Sequence, residues 1–171
     1  NYGNYFDNET GDALEEAPFN NGDILKIDNV SDKYFVINKN LTIMPAGDNI
    51  TLKNVGFNFV PGSEGSVVNG LTIDNNVGKW SNNGAIQLVP ILIQHAKDIT
   101  VINSYIHSSA ASVPAINGAI YMMNASYCNI RNNTISQSSG KTPIQIVSSS
   151  YNNMTDNKIY SKASNVIFIG M

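Results

Sequence analysis

The sequence predicts a β-solenoid, an all-β fold in which the chain winds through coils of short parallel strands. Three observations predict it: strand-like segments that recur, an apolar period of two within them, and a composition with 26 Asn and 21 Ile. Ile favours strands, whereas Asn tolerates the left-handed backbone conformation that a sharp bend requires. A helical solenoid is excluded because its apolar residues would recur every 3.6 positions.

The first recurring series reads apolar, polar, apolar, variable, and then Asn or Asp. Its five members are residues 50–54, 71–75, 99–103, 128–132 and 152–156, with centres 21 to 29 positions apart. Because parallel coils stack about 4.8 Å apart, equivalent residues of successive coils should lie on one another. We therefore predict a structural ladder at one bend, formed by Asn54, Asn75, Asn103, Asn132 and Asp156.

A second apolar series interleaves with the first, at residues 84–89, 118–123, 143–147 and 165–169. Coils are therefore predicted over residues 23–171. Residues 1–22 do not match the repeat and are predicted to form an N-terminal cap. Within that cap, Asp12 to Glu15 resembles a capping box that opens one helical turn, ended by Pro18. The last strand is apolar and lacks a polar cap, so we expect further chain or another subunit to cover it.

Composition argues against several functional classes. Charged residues make up 13% of the chain, against about 25% in typical domains, and the net charge is -3 without a basic run, which disfavours nucleic-acid binding. The single cysteine, Cys128, excludes an internal disulfide and is predicted to be buried. No apolar stretch approaches the roughly 18 residues of a membrane span. The two histidines lack zinc-site spacing, and we expect no metal and no cofactor.

Several segments resemble the repeats of right-handed parallel β-helix proteins, namely residues 83–86, 98–104, 117–121 and 131–135. Residues 5–11, 21–25 and 37–43 more specifically resemble adhesin-like surface proteins of methanogenic archaea. This resemblance implies an all-β, right-handed parallel β-helix (solenoid) with an N-terminal cap segment. It also implies a secreted or cell-wall-associated protein with several repeat domains, and an adhesive role.

Asn-X-Ser/Thr sequons begin at seven asparagines. An Asn-rich chain generates sequons by chance, and Asn132 is expected to point inward, where no glycan fits. In a secreted protein, the glycosylation candidates are Asn8, Asn29, Asn40, Asn49 and Asn124.

Three predicted loop insertions, at residues 77–83, 108–117 and 136–142, are the expected place for binding because insertions in a solenoid lie on one flank. Lys79 and Trp80 are the binding candidates. Trp80 is the only Trp, and its ring could stack on a sugar, insert into a partner, or fold over the coil as a lid.

Catalysis of glycoside cleavage would require two carboxylates about 5–9.5 Å apart. The predicted outward column beside the ladder reads Lys53, Asp74, Ile102, Arg131, Thr155 and holds one acid, so we expect no catalysis. The leading hypothesis is an extracellular structural or adhesive segment of an archaeal cell-surface protein that binds a surface glycan or protein. Two alternatives stay open. One is a subunit of a sheath, surface layer or filament that stacks copies of itself end to end, and the other is a carbohydrate-active enzyme, a polysaccharide lyase or glycoside hydrolase.

Overall fold

Parallel strands dominate the computed structural model, which describes residues 2–78, 88–110 and 117–171. In these ranges the chain forms sixteen β-strands and one short 3₁₀ turn at Tyr2–Tyr5. Every pair of these strands is parallel, and each partner comes from the preceding or following coil. The predicted all-β solenoid is confirmed.

The first face of the solenoid is a six-stranded sheet. Its strands stack in chain order, one per coil, because each coil returns to the same face. They are β1 (Asp23–Ile27), β3 (Leu41–Pro45), β5 (Val67–Asn69), β8 (Thr100–Ile102), β11 (Asn129–Arg131) and β14 (Asn153–Thr155).

A second, ten-stranded sheet bends around the remaining two faces. Strand β4 (Leu52–Phe59) joins the two faces, because its start pairs with β6 and its end pairs with β7. The second face consists of the start of β4 with β6 (Thr72–Asn75), β9 (Tyr105–Ser108), β12 (Thr134–Gln137) and β15 (Lys158–Ser161). The third face consists of the ends of β2 (Ser31–Ile37) and β4, with β7 (Ile91–Gln94), β10 (Ile120–Met123), β13 (Ile144–Val147) and β16 (Ile167–Gly170); the start of β2 pairs with the start of β4.

One member of the second predicted series is corrected by this pairing. The strand that stacks on Ile120–Met123 is Ile91–Gln94, several residues after the predicted segment 84–89. Leu88 and Val89 are buried but lie outside any strand, and residues 84–87 fall outside the described ranges. The Phe57 N–H donates to the carbonyl oxygen of Pro90 at 3.0 Å, and the paired strand begins at the next residue.

The core consists of apolar ladders, since alternate side chains of each strand face inward. On the first face, one inward residue of each strand stacks on the equivalent residue of the neighbouring strand. All of these residues except the last are fully buried. This ladder contains Leu25, Ile43, Val68, Val101, Ile130 and Met154. Such burial is the dominant stabilising term, at about 25 cal/mol per Å² of apolar surface.

Inward amide side chains complete the hydrogen bonding where the backbone bends between the first and second faces. Asn133 is 2% exposed. Its side-chain oxygen accepts the backbone N–H of Ser104 at 2.9 Å, and its Nδ2 donates to the carbonyl of Val101 at 2.9 Å. In the next coil, Asn157 accepts the backbone N–H of Asn133 at 3.0 Å and donates to the carbonyl of Ile130 at 2.6 Å. These side chains therefore replace the interstrand bonds that a bent backbone cannot make.

The N-terminal segment packs against the first coil through aromatic rings. Phe6 stacks on Phe19 with centroids 5.4 Å apart and meets Phe35 edge-on at 4.8 Å. Lys33 Nζ donates to the carbonyl oxygen of Phe6 at 2.6 Å. The predicted helical turn from Asp12 to Glu15 is wrong, because Ala13 instead forms an antiparallel bridge with Phe6.

The last coil is open on its outer side. Its inward residues Met154 and Ile159 are only half-buried, and Ile167 and Ile169 are 40% and 73% exposed. Among the described strands, β14, β15 and β16 of this coil each pair on one side.

Candidate functional site

The predicted ladder of five polar residues is divided between different columns, which corrects that prediction. Asn103, Asn132 and Asp156 lie at one bend, and Asn132 Nδ2 donates to Asn103 Oδ1 at 2.7 Å. Their φ angles are 56°, 53° and 58°, in the left-handed region that Asn and Asp tolerate. Asn54 and Asn75 lie elsewhere, because the strand that stacks on β6 is β9 rather than β8.

The two displaced asparagines lie at another bend, directly after the paired residues Lys53 and Asp74 of the second face. Asn54 is half-buried and donates through Nδ2 to Asp32 Oδ1 at 3.0 Å. Asn75 is fully buried and bonds both the backbone N–H and the carbonyl of Val55 at 2.9 Å. The expectation that Asn132 points inward is also wrong, since Asn132 is exposed and the inward residue is Asn133.

Correct register changes the composition of the outward column that begins with Lys53 and Asp74. The next positions on the second face are His107, Ser136 and Tyr160, rather than the predicted Ile102, Arg131 and Thr155. The column thus brings together an acid, an imidazole and a hydroxyl from three successive coils. Sequence reasoning missed this group because it placed residues 71–75 and 99–103 in the same column.

Asp74, His107 and Ser136 are close enough to interact. His107 Nδ1 lies 2.6 Å from Ser136 Oγ, and His107 Nε2 lies 4.0 Å from Asp74 Oδ1. The His107 side chain is 21% exposed and that of Asp74 is 49% exposed. The ring of Tyr105 lies beside the imidazole, with centroids 6.5 Å apart and planes at 26°. The imidazole is therefore partly shielded and held between its two polar neighbours.

A polar groove borders the same face near the N-terminal coils. One cavity of about 450 Å³ is lined by residues 47–51 together with Pro45, Gly70 and Thr72. A second, of about 230 Å³, is lined by residues 29–31, Thr51 and Lys53. The two cavities share Thr51, and we call them together the polar groove. Hydroxyl, amide, carboxylate and ammonium groups line it.

Most glycosylation candidates are accessible. Asn8, Asn29, Asn49 and Asn124 are exposed, and Asn40 is half-buried. Two of these side chains already have partners: Asn8 Oδ1 accepts from Lys33 Nζ, and Asn124 Nδ2 lies 3.3 Å from His95 Nδ1. The binding candidates Lys79 and Trp80 lie outside the described residues.

Cys128 is confirmed as a buried free thiol. It is fully shielded from solvent, and its Sγ lies 3.4 Å from the carbonyl oxygen of Ser126. Burial raises the pKa of this thiol, which keeps it protonated and unreactive at neutral pH.

A sequence model described as a right-handed beta helix region matches residues 39–170. The chain belongs to the right-handed β-helix family. The match runs from the start of the second coil into the last strand, so it confirms the predicted fold class. No curated protein and no solved structure is detectably similar to the β-helix. Family membership fixes the architecture but not the activity, because function depends on the site that a fold carries.

Over the described residues of the β-helix, no helix is both long and apolar enough to cross a membrane.

Proposed function

We propose that the β-helix is a rigid segment of an extracellular, adhesin-like surface protein of archaeal type that binds glycans along the polar groove. The observation that carries this proposal is the groove itself, which adjoins a face with few charges. Sugars present many hydroxyl groups, so a recognition surface needs neutral donors and acceptors at fixed positions. Stacked parallel strands hold such side chains about 4.8 Å apart.

The lining of the groove suits a hydroxylated ligand. Thr51 and Thr72 each offer a hydroxyl that can donate and accept, and Asp48 adds an acceptor. Lys53 lies at the far end and adds three N–H donors, which favours a glycan with a carboxylate or sulfate substituent.

Exposed sequons support an extracellular location. Asn29 and Asn49 are exposed, and both line the groove. A glycan attached to either residue would occupy part of the groove, so self-glycosylation and ligand binding would compete there.

A glycan array with protein made without glycosylation tests the binding proposal. The unmodified chain should bind a defined group of glycans, and Lys53→Ala and Thr72→Val should each weaken that binding by about tenfold or more. Lys26→Ala is the matched control, because Lys26 is an exposed lysine on the first face. Failure of the unmodified chain to bind any glycan, or equal binding by the groove variants, contradicts the proposal.

Protease treatment of intact source cells tests the location separately. Peptides of the β-helix should be released from living cells before any cytoplasmic marker appears. Recovery of those peptides only after lysis would refute an extracellular role.

A further inference from the structure

We propose that Ser136 is an activated nucleophile that attacks short-chain carboxylic esters, with His107 as its general base and Asp74 as the residue that positions His107. This inference goes beyond glycan binding and departs from the expectation of a chain without catalysis. It rests on the outward column of the second face, where register brings an acid, an imidazole and a hydroxyl together from successive coils.

The positions of Asp74 and Ser136 on opposite sides of the imidazole favour the reactive tautomer. Asp74 Oδ1 faces Nε2, so the neutral imidazole places its proton there, where the carboxylate attracts it. Nδ1 is then unprotonated and can accept the Ser136 hydroxyl hydrogen across 2.6 Å. The carboxylate and the serine thus favour the same tautomer, which is the one that general-base catalysis requires.

The residues around His107 limit the motion of its imidazole. Ile106 and Ile135, on the inward side of the same strands, are fully buried, so the backbones that carry His107 and Ser136 are fixed. Tyr105 flanks the ring on the outside. The 4.0 Å separation between Asp74 and His107 is long for a hydrogen bond, but such contacts commonly tighten when substrate binds.

The reaction balances with water as the only co-reactant. As Ser136 Oγ bonds to the ester carbonyl carbon, its proton moves to His107 Nδ1. The bond from that carbon to the leaving oxygen then breaks, and the imidazolium returns the proton to the alcohol. Water next attacks the acyl-serine while His107 takes the water proton and passes it to Ser136 Oγ. The net products are one carboxylic acid and one alcohol.

The second face also sets the size of the substrate. Tyr160 follows Ser136 in the column and is 60% exposed, so its phenol can donate to the oxygen of the tetrahedral intermediate. Ser136 is half-buried on a strand surface and lines neither cavity of the polar groove, so we expect acetyl and similarly small acyl groups.

The test uses the full chain with two probes, an alkyl fluorophosphonate and p-nitrophenyl acetate. We expect peptide mass spectrometry to find the phosphonate on Ser136 and Ser136→Ala to abolish that adduct. We also expect ester hydrolysis to fall by about 100-fold or more in Ser136→Ala and His107→Gln. Asp74→Asn should lower kcat with little change in KM, because Asp74 orients His107 without contacting the substrate.

Two matched controls separate this site from general surface chemistry. His95 is an exposed imidazole and Ser150 an exposed serine on another face, so His95→Gln and Ser150→Ala should leave the rate unchanged. Circular dichroism and the melting temperature establish that each variant is folded. Absence of the Ser136 adduct, or equal rates in His107→Gln and His95→Gln, would overturn the proposal. Neither result depends on glycan binding, so this proposal and the proposed function can fail independently.

Discussion

Replacement of Asn133 by Ala should destabilise the β-helix more than any surface substitution of similar size. The change leaves the backbone N–H of Ser104 without its acceptor and removes one donor from the carbonyl of Val101, which also lies in the strand ladder. A buried N–H without a partner costs about 1–3 kcal/mol, so the free energy of unfolding should fall by about that amount. A typical domain is stabilised by only about 5–15 kcal/mol.

Denaturant unfolding followed by circular dichroism measures this loss, and hydrogen exchange locates it. We expect the Ser104 amide to lose protection, since its acceptor is removed. Asn129→Ala is the matched control, because Asn129 lies on β11, the strand that precedes this bend, and points outward; it should change stability by less than about 1 kcal/mol. A loss below about 1 kcal/mol for Asn133→Ala, with Ser104 still protected, would refute the reasoning.

Three further predictions follow from single residues. Gly118→Ala should lower the free energy of unfolding by more than about 2 kcal/mol, measured by denaturant unfolding. The φ angle of Gly118 is 105°, and a Cβ there would lie 2.7 Å from the carbonyl oxygen of Thr142. Gly47→Ala is the control and should be nearly neutral, because a Cβ at Gly47 would meet no atom within 4 Å. Cys128 should resist a thiol reagent at pH 8 until the protein unfolds, and rapid labelling of folded protein would contradict its burial. Backbone N–H groups of Thr10 and Glu9 lower the pKa of Asp7, so its ionised form stabilises the folded chain and that contribution disappears as the pH falls below about 4. Melting temperatures of the unmodified chain and Asp7→Asn should therefore differ at pH 7 and converge in acid.

The architecture was predictable because its cause is local. A period of two with Ile and Val inside, followed by Asn at a bend, specifies a strand and a corner in almost every coil. The pattern correctly predicts that Val101, Ile130 and Met154 stack, but it places Leu52 and Ile73 in that column, where the structure has Ile43 and Val68. Sequence alone could therefore establish parallel coils and the contacts between the later ones.

The phase of the coils was not predictable from the same pattern. A coil has several bends, and each bend requires a left-handed residue, so Asn75 and Asn103 carry similar sequence signals at different corners. Coil length also varies: stacked residues Val68, Val101 and Ile130 are 33 and 29 positions apart, and the next step is 24. When a segment is aligned with the wrong segment of the next coil, its residues are assigned to the wrong face. That error hid the position of Asp74 beside His107, for which the sequence carries no motif.

The choice of residue at the corners affects the unfolded chain as well as the folded one. Gly70, Asn103, Asn132 and Asp156 all adopt positive φ at the same corner, yet glycine occurs there only in the early coil. An unfolded glycine samples more conformations than asparagine or aspartate, so each side-chain-bearing corner loses less entropy when its coil forms. The later coils therefore lose less conformational entropy when they fold. Part of their stability comes from this restriction of the unfolded chain rather than from contacts between strands.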